Sequence, residues 1–342
     1  MKKRSLMLLA MIMVFTMLFA FGCGNGEEEQ GSEGTVDQGT SDQVFNLKVG
    51  HVLAPTHPYQ AGLEKFAELV DQKTDGKVKI EAFHSSQLGN EREMIEGLQM
   101  GTLDMTLVST APLAGFSNKF LVFDLPFIFK TREAAYATLD GPVGTEIMDT
   151  LKDQGIIGLA YWENGFRHAS NSKQALVHPQ DIKGMKIRTM ENKIHMASFT
   201  EIGADPTPMA FGELFTALQQ KTVDAQENPI PVFYTSNFFE VQKHLSLTGH
   251  FYAAAPLLAS KTVWEKLPGE YQAAIQEAAL EARDFERDMI KTMDTDLIED
   301  LKTKGVTITE VDKDEWAQAM APVYKQFEGE IGADTIAEVQ EK

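Results

Sequence analysis

An alternation of strand and helix patterns after residue 44 restricts the fold of this chain more than any other feature. Apolar residues at every second position indicate half-buried strands, and apolar residues along one helical face indicate amphipathic helices. Asn90, three residues before Glu93, has the spacing of a capping box. This succession predicts a mostly parallel sheet with helices on its faces. The predicted strands are 45–49, 78–82 and 103–108, with helices over 59–73 and 90–101.

The pattern resumes past the middle of the chain. Strands are predicted over 156–161, 185–188 and 222–225, and helices over 192–202 and 211–220. The helix-to-strand turn at 98–104 is echoed at 218–224, which indicates two lobes built on one plan or a chance similarity of two turns. A chain of 342 residues is too long for one ordinary core. We therefore predict an α/β protein with two lobes.

A long helix is predicted near the C-terminus, because residues 270–304 contain neither glycine nor proline. At about 1.5 Å per residue, roughly 35 residues span about 50 Å, which is enough to cross two lobes. The segment carries too many charges for a transmembrane span. The alternative is two helices broken near 292–295.

The N-terminus resembles a bacterial lipoprotein signal. Residues 1–4 are basic, residues 6–21 are almost wholly apolar, and a small residue precedes Cys23. In a lipobox, Cys23 would be lipidated and become the new N-terminus. The alternative is an uncleaved anchor, and both place the protein outside the cytoplasm at a membrane. Residues 24–43, which are polar and rich in glutamate and glycine, would form a flexible tether.

Composition and motifs exclude several classes of function. Acidic residues number 50 against 31 basic ones, whereas a protein that binds nucleic acid needs a basic footprint. Cys23 is the only cysteine, which rules out an intramolecular disulfide and a cysteine-based zinc site. The chain has no nucleophile elbow, phosphate-binding loop, zinc-protease motif or EF-hand loop. We therefore predict no catalysis, no cofactor and no metal site.

Polar side chains near strand ends mark a candidate ligand site. Arg167 follows the predicted strand 156–161, Arg188 ends the next one, and Asn228 follows another. A guanidinium there can bind a carboxylate through two parallel hydrogen bonds. The alternative is that each arginine bridges a neighbouring acid, such as Glu163 or Glu191. His51 follows the first strand and either lines the pocket or has a structural role.

Several linked motifs resemble the substrate-binding proteins of TRAP (tripartite ATP-independent periplasmic) transporters. The likeness covers nearly everything after the tether, and the motifs occur in the family's order. Any one of them alone would be a weak signal. The motifs are 87–89, 101–104, 125–127, 163–167, 185–188, 206–211, 216–220, 224–229 and 239–243.

The resemblance implies two α/β lobes that hinge around a cleft and close on a ligand, with a long helix across both. It implies a monomeric receptor that delivers a small organic acid to an ion-gradient-driven permease of two integral membrane subunits. The acid would be a C4-dicarboxylate, a hydroxy acid or a sugar acid such as a uronate. We place lobe I at 44–165 plus about 254–293, and lobe II at 166–253 plus about 294–342.

The resemblance also assigns pocket residues. The family's key arginine, which pairs with the ligand carboxylate, falls on Arg188, and its second arginine falls on Arg167. The family's asparagine falls on Asn228 and an aromatic pocket wall on Phe211. Members vary with their ligand at two further positions, which are Glu91 and Ser109.

Departures from the family pattern concern the ligand rather than the fold. Thr189 and Met190 stand where many members have Val-Pro, and Lys221 stands where many have glycine. Glu191 and Asn192, just beyond the key arginine, would read hydroxyl groups, which favours hydroxy or sugar acids. The rival functions are a receptor for a sensor kinase, an extracytoplasmic hydrolase and a structural lipoprotein.

Overall fold

The structure of the chain is a computed structural model that describes residues 43–341. In that range the strands are β1 (Phe45–Gly50), β2 (Val78–Phe83), β3 (Met105–Leu107), β4 (Ile156–Asn171), β5 (Lys186–Thr189), β6 (Asp205–Pro208), β7 (Ala225–Asn228), β8 (His244–Ser260) and β9 (Thr307–Thr309). The expected signal segment, Cys23 and the tether up to residue 42 lie outside the described residues.

Helices cover much of the remaining described chain. The α-helices are α1 (Pro58–Lys73), α2 (Glu91–Met100), α3 (Thr110–Leu113), α4 (Arg132–Leu139), α5 (Pro142–Asp149), α6 (Lys193–Glu201), α7 (Phe211–Gln219), α8 (Ile230–Thr235), α9 (Lys261–Trp264), α10 (Gly269–Thr303), α11 (Lys313–Met320), α12 (Pro322–Ile331) and α13 (Ala333–Gln340). Short 3-10 helices occupy Asn118–Asp124, Thr150–Gln154, Pro179–Ile182 and Phe238–Glu240.

The strands form one mixed sheet in the order β2-β1-β3-β8-β4-β7-β5-β6, with β9 beside β8. In one half β1 pairs in parallel with β2 and β3, and in the other β5 pairs in parallel with β6 and β7. The long strands β4 and β8 run antiparallel through the centre and belong to both halves. The predicted two-lobed α/β fold is confirmed. The boundaries proposed at 165/166 and 253/254 fall inside β4 and β8 and stay a prediction.

The long strand β4 corrects one expectation. The strand predicted over 156–161 continues through the whole of β4, so Arg167 lies on the strand instead of after its end. Its second half carries polar residues such as Glu163 and Asn164, which are buried, so apolar alternation does not reveal it. The register with β8 shifts between Glu163 and Gly165, and Gly165 has a φ of +116°, which glycine adopts without a steric penalty.

The echo between the two halves has a structural basis. Gly101 and Lys221 each follow a helix, with φ angles of +68° and +59°. In both turns, the next amide donates to the carbonyl five residues back at 2.9 Å, as in a Schellman motif. Because the turn uses these residues, β7 begins at Ala225, three residues later than the predicted strand over 222–225. Asn228 therefore ends the strand itself.

Two predicted helix features are confirmed. Asn90 and Glu93 form the capping box of α2, with Asn90 N donating to Glu93 Oε2 at 2.8 Å and Glu93 N donating to Asn90 Oδ1 at 3.0 Å. The long helix α10 is a single helix of 35 residues with no break at 292–295. It packs against α1 in one lobe and α8 in the other, so it crosses both.

Two clusters of buried apolar residues form the core. The larger cluster fills the first lobe and continues beneath α8 and the C-terminal helices, and the smaller one, around Ile187, Phe199 and Trp316, lies in the second lobe. None of the helices between residues 43 and 341 has the length and apolarity that a membrane span requires.

Candidate functional site

A small cavity lies where the carboxyl ends of β3, β5 and β7 approach β4, the edge at which open α/β sheets bind ligands. It is narrow and is lined by residues of both lobes. The cavity brings together six of the expected substrate residues, which are Arg188, Arg167, Asn228, Phe211, Glu91 and Ser109. An adjoining narrow space shares Arg188 and Phe211 with this cavity and adds Glu191.

Arg188, near the end of β5, has a buried guanidinium that is only partly bonded. Its side chain is 2 % exposed. Nε and Nη2 donate to the carbonyl of Met209 at 2.9 and 2.7 Å, whereas Nη1 is buried without a hydrogen-bond partner among the described residues. Burial lowers the pKa of Arg188 to about 10, so it is charged at neutral pH. A cation with a free donor in a cavity can bind an anion. Arg188 does not bridge Glu191, which lies 3.8 Å from Arg92 Nε.

Arg167 differs because its charge is already neutralised. It forms a two-point ion pair with Glu227, in which Nε contacts Oε2 and Nη2 donates to Oε1 at 2.9 Å. Nη2 also donates to Asn228 Oδ1 at 3.1 Å. Burial opposes ionisation of Glu227, but the Arg167 guanidinium and His250 outweigh it and hold the pKa of that carboxyl well below its usual range. Arg167 thus bridges an acid, but not a neighbour in the sequence: Glu163 pairs with Arg132 instead.

Glu91 is the first residue of α2 and supplies the one carboxyl group in the described lining of the cavity. Its Oε1 accepts a hydrogen bond from the amide of Ser109 at 2.7 Å, which fixes the carboxyl group in the same lining as Arg188. Burial raises the pKa of Glu91, and its hydrogen bonds from Ser109 and the charge of Arg188 partly offset that effect. The cavity therefore combines a guanidinium with a carboxyl group.

Asn228, which lines the cavity, belongs to a hydrogen-bonded row of side chains on β7 and β4. Asn228 Nδ2 donates to Gln226 Oε1 at 2.5 Å, and Gln226 Nε2 donates to Ser170 Oγ at 2.6 Å. Phe211 lies at the start of α7 and packs edge-on against Phe238, with ring centroids 5.9 Å apart. These contacts hold the row and the aromatic wall in place before any ligand enters.

The structure does not bring two expected residues to the cavity. Asn192 caps α6: its Oδ1 accepts from the amides of Ile194 and His195 at 2.8 and 3.3 Å, and its Nδ2 donates to Asp124 and to a backbone carbonyl. All of its hydrogen-bonding capacity is used, so its expected role in reading hydroxyl groups has no geometric support. His51 is buried beside α1, where Nε2 lies 3.0 Å from Gln60 Oε1, and it does not line the cavity.

Sequence reasoning missed five residues of the lining, which are Val52, Leu53, Tyr59, Asn164 and Met190. The hydroxyl of Tyr59 and Oδ1 of Asn164 are buried without a hydrogen-bond partner in the described part of the chain. Asn164 stands inside the matched motif 163–167, which was a signal that it faces the ligand. Tyr59 follows a histidine and a proline at the start of α1, and nothing in its spacing distinguishes it from a core residue.

A larger, more open cavity lies on the outside of the first lobe, between α5, β4 and α10. Its charged side chains are already paired, with Arg283 3.3 Å from Asp140 and Lys152 2.8 Å from Asp149. No expected site residue lines it. Within residues 43–341, no group of three or more potential metal ligands is found. The interlobe cavity is therefore the candidate ligand site.

Comparison with known proteins gives the family. Residues 49–330 match the model of the bacterial extracellular solute-binding proteins of family 7. A solute-binding protein of Verminephrobacter eiseniae is 42 % identical over 81 % of this chain and 83 % of its own. The 2,3-diketo-L-gulonate-binding periplasmic protein of Escherichia coli is 37 % identical over 86 % of this chain and 92 % of its own.

A solved structure agrees in both sequence and fold. The TRAP periplasmic solute-binding protein of Polaromonas sp. JS666, bound to D-erythronate, superposes with a TM-score of 0.85 and is 44 % identical, covering 86 % of this chain and 98 % of its own. The family is extracytoplasmic and binds solutes, which fits a cleft between two lobes. The chain belongs to family 7 of the bacterial extracellular solute-binding proteins, the substrate-binding proteins of TRAP transporters.

Proposed function

We propose that the chain captures a small organic acid in the interlobe cavity and delivers it to an ion-gradient-driven TRAP permease of two integral membrane subunits. The observation that carries this proposal is the buried Arg188 guanidinium, whose Nη1 finds no partner among residues 43–341. A ligand carboxylate would supply that partner through a charge-assisted hydrogen bond. The relatives that bind 2,3-diketo-L-gulonate and D-erythronate support the ligand class, because both ligands are carboxylic acids.

The remaining lining has a supporting role. Arg167, held by Glu227, keeps Asn228 in position, and Phe211 covers the ligand. Closure of the lobes removes water, which strengthens the contact between Arg188 and the carboxylate. Binding without catalysis is supported by the family, whose model and relatives are described as solute-binding proteins.

We also propose that Cys23 is lipidated, that the polar segment after it is a tether, and that the protein acts as a monomer. Mass spectrometry of the protein purified from membranes tests the anchor, because lipidation adds acyl chains at the new N-terminus. An unmodified N-terminal methionine would contradict it. A receptor for a sensor kinase is the rival partner, and co-purification with permease subunits distinguishes the two.

Thermal unfolding tests the ligand proposal. The panel contains D-erythronate, D-galactonate, 2-oxo acids, succinate and the uncharged polyol erythritol. A ligand at a hundredfold excess over its Kd stabilises the folded state by about 2.7 kcal/mol. For a domain of this size, that raises Tm by roughly 5 °C. The proposal fails if no acid shifts Tm, or if erythritol shifts it as much as the acids do.

A matched pair of variants links the shift to the cavity. Arg188→Met is expected to abolish it. Arg283→Met, which removes a partly buried arginine beside the separate outer cavity, is expected to preserve it. An equal loss in both variants would point to general destabilisation instead of a lost carboxylate partner.

A further inference from the structure

We propose that the ligand is a hydroxy monocarboxylic acid and that Glu91 both accepts a ligand hydroxyl and excludes dicarboxylates. This inference rests on the proposed function and names the substrate class of the same cavity. It follows from the charges and the unpartnered polar atoms that line the cavity.

The cationic side chains that line the cavity can bind only one ligand carboxylate. Two arginines line the cavity, but Arg167 is neutralised by its two-point pair with Glu227. Arg188 bonds only to the backbone carbonyl of Met209 and retains a buried, unpartnered Nη1 within the described structure. A second ligand carboxylate would enter a lining with no unneutralised cation left to receive it, and burying an unpaired carboxylate is costly.

Glu91 makes a second carboxylate still less favourable. The amide of Ser109 fixes its carboxylate at 2.7 Å, and it lines both the main cavity and the adjoining space together with Arg188. Two carboxylates in one site repel each other strongly when water is excluded. An ionised Glu91 has only acceptor oxygens and can bind a ligand hydroxyl as its donor, whereas a second ligand carboxylate would force one of the two acids to take up a proton.

A second hydrogen-bond acceptor in the cavity also indicates a hydroxy monocarboxylic acid. Oδ1 of Asn164 is buried with no partner among the described residues, and its Nδ2 lies 3.4 Å from Ser109 Oγ. The Tyr59 hydroxyl nearby is also buried and unpartnered in the described chain. A ligand hydroxyl can donate to Asn164 or Glu91 and accept from Tyr59, whereas an ionised carboxylate can only accept. The cavity thus matches one carboxylate and one or more hydroxyl groups.

Isothermal titration calorimetry on the wild-type protein tests the class. The two hydroxy monocarboxylates are D-erythronate and D-galactonate. The comparison ligands are succinate, which has a second carboxylate, and butanoate, which has no hydroxyl. At least one hydroxy acid is expected to bind tenfold or more tightly than every comparison ligand. The inference is overturned if any comparison ligand comes within tenfold of the better hydroxy acid.

The variant Glu91→Gln removes the carboxyl group while keeping the size of the side chain and one acceptor oxygen. The ratio of the succinate Kd to the hydroxy-acid Kd is expected to fall at least tenfold. Glu96→Gln, on the same helix with a side chain 47 % exposed, is the matched control and should leave the ratio unchanged. An unchanged ratio in Glu91→Gln overturns the role of Glu91.

The outcomes distinguish a wrong substrate class from a wrong function. If succinate and erythronate bind equally well, the substrate class is wrong but the receptor for organic acids stands. If none of the acids binds, the proposed function itself fails. Should Glu91→Gln not fold, the wild-type comparison still decides the class.

Discussion

Replacing Arg188 by methionine is expected to abolish binding of the organic acid while leaving the ligand-free protein at least as stable as the wild type. Most substitutions of a fully buried residue destabilise a protein. Arg188 differs because its charge is desolvated and its Nη1 is unpartnered in the described structure. Methionine fills a similar volume and brings no charge. Buried ionic groups replaced by apolar residues of similar volume often leave stability unchanged or raise it.

The expected change in the free energy of unfolding follows from the pKa of Arg188 and from its hydrogen bonds. Burial lowers the pKa of Arg188 to about 10. One pKa unit is about 1.4 kcal/mol, so the buried charge costs on the order of 3 kcal/mol. The two hydrogen bonds to Met209 offset about 1 kcal/mol each. The pKa in the folded state is below that in the unfolded state, so the cost is present at neutral pH and declines only as the pH rises above about 10. The net expectation is a gain of up to about 1 kcal/mol.

Urea unfolding at neutral pH measures the ligand-free stability, and thermal scans with a saturating acid measure the ligand effect. The wild type should gain about 2.7 kcal/mol at a hundredfold excess of ligand over its Kd, and the variant nothing. The reasoning is refuted if the ligand-free variant loses more than about 2 kcal/mol, since Arg188 would then be a net structural contributor. It is also refuted if the variant keeps the ligand shift.

Three further substitutions test the fold around the site. Glu227→Gln leaves the buried Arg167 without its carboxylate and should lower the free energy of unfolding by about 3–5 kcal/mol. Burial opposes ionisation of Glu227, but the pair with Arg167 holds the pKa of Glu227 well below its usual range. The variant's loss of unfolding free energy, measured in urea, should therefore be constant from about pH 8 to about pH 5. It should shrink only in stronger acid, where the wild-type carboxylate takes up a proton. Lys221→Gly removes a side chain at a φ of +59° and should raise the unfolding free energy by about 0.5–1 kcal/mol in urea titrations. Gly62→Ala places a methyl group 2.7 Å from the Trp162 ring and should cost about 1–3 kcal/mol in the same assay.

Matched controls accompany these substitutions. Asn237→Gly, at a φ of +57°, should gain less than Lys221→Gly, because asparagine tolerates the left-handed region better than lysine does. Gly329→Ala, in a helix with nothing within 4 Å of the new methyl group, should be neutral or stabilising, unlike Gly62→Ala. Equal effects within either pair, or a loss in Glu227→Gln that grows in acid, would contradict the structural account.

The site was only partly predictable from the sequence. Arg188 and Asn228 were identified because they end strands, and the ends of parallel strands meet at one edge of a sheet. Asn192 was misassigned, because a helix cap and a pocket residue give the same signal of a polar side chain after a strand. Tyr59 was missed, since its position on the cavity depends on how α1 packs against the sheet.

The sequence by itself determined the α/β alternation, the capping box of α2 and the helical character of the segment 270–304, because each depends on the spacing of residues close together in the chain; that this segment is one unbroken helix came from the structure. It also carried the family, through short motifs in a constant order. Only the tertiary structure decided that Arg167 pairs with Glu227, 60 residues away, while Arg188 pairs with no acid among residues 43–341. Which buried charge remains available to a ligand depends on contacts between strands that are distant in sequence, and local periodicity does not encode those contacts.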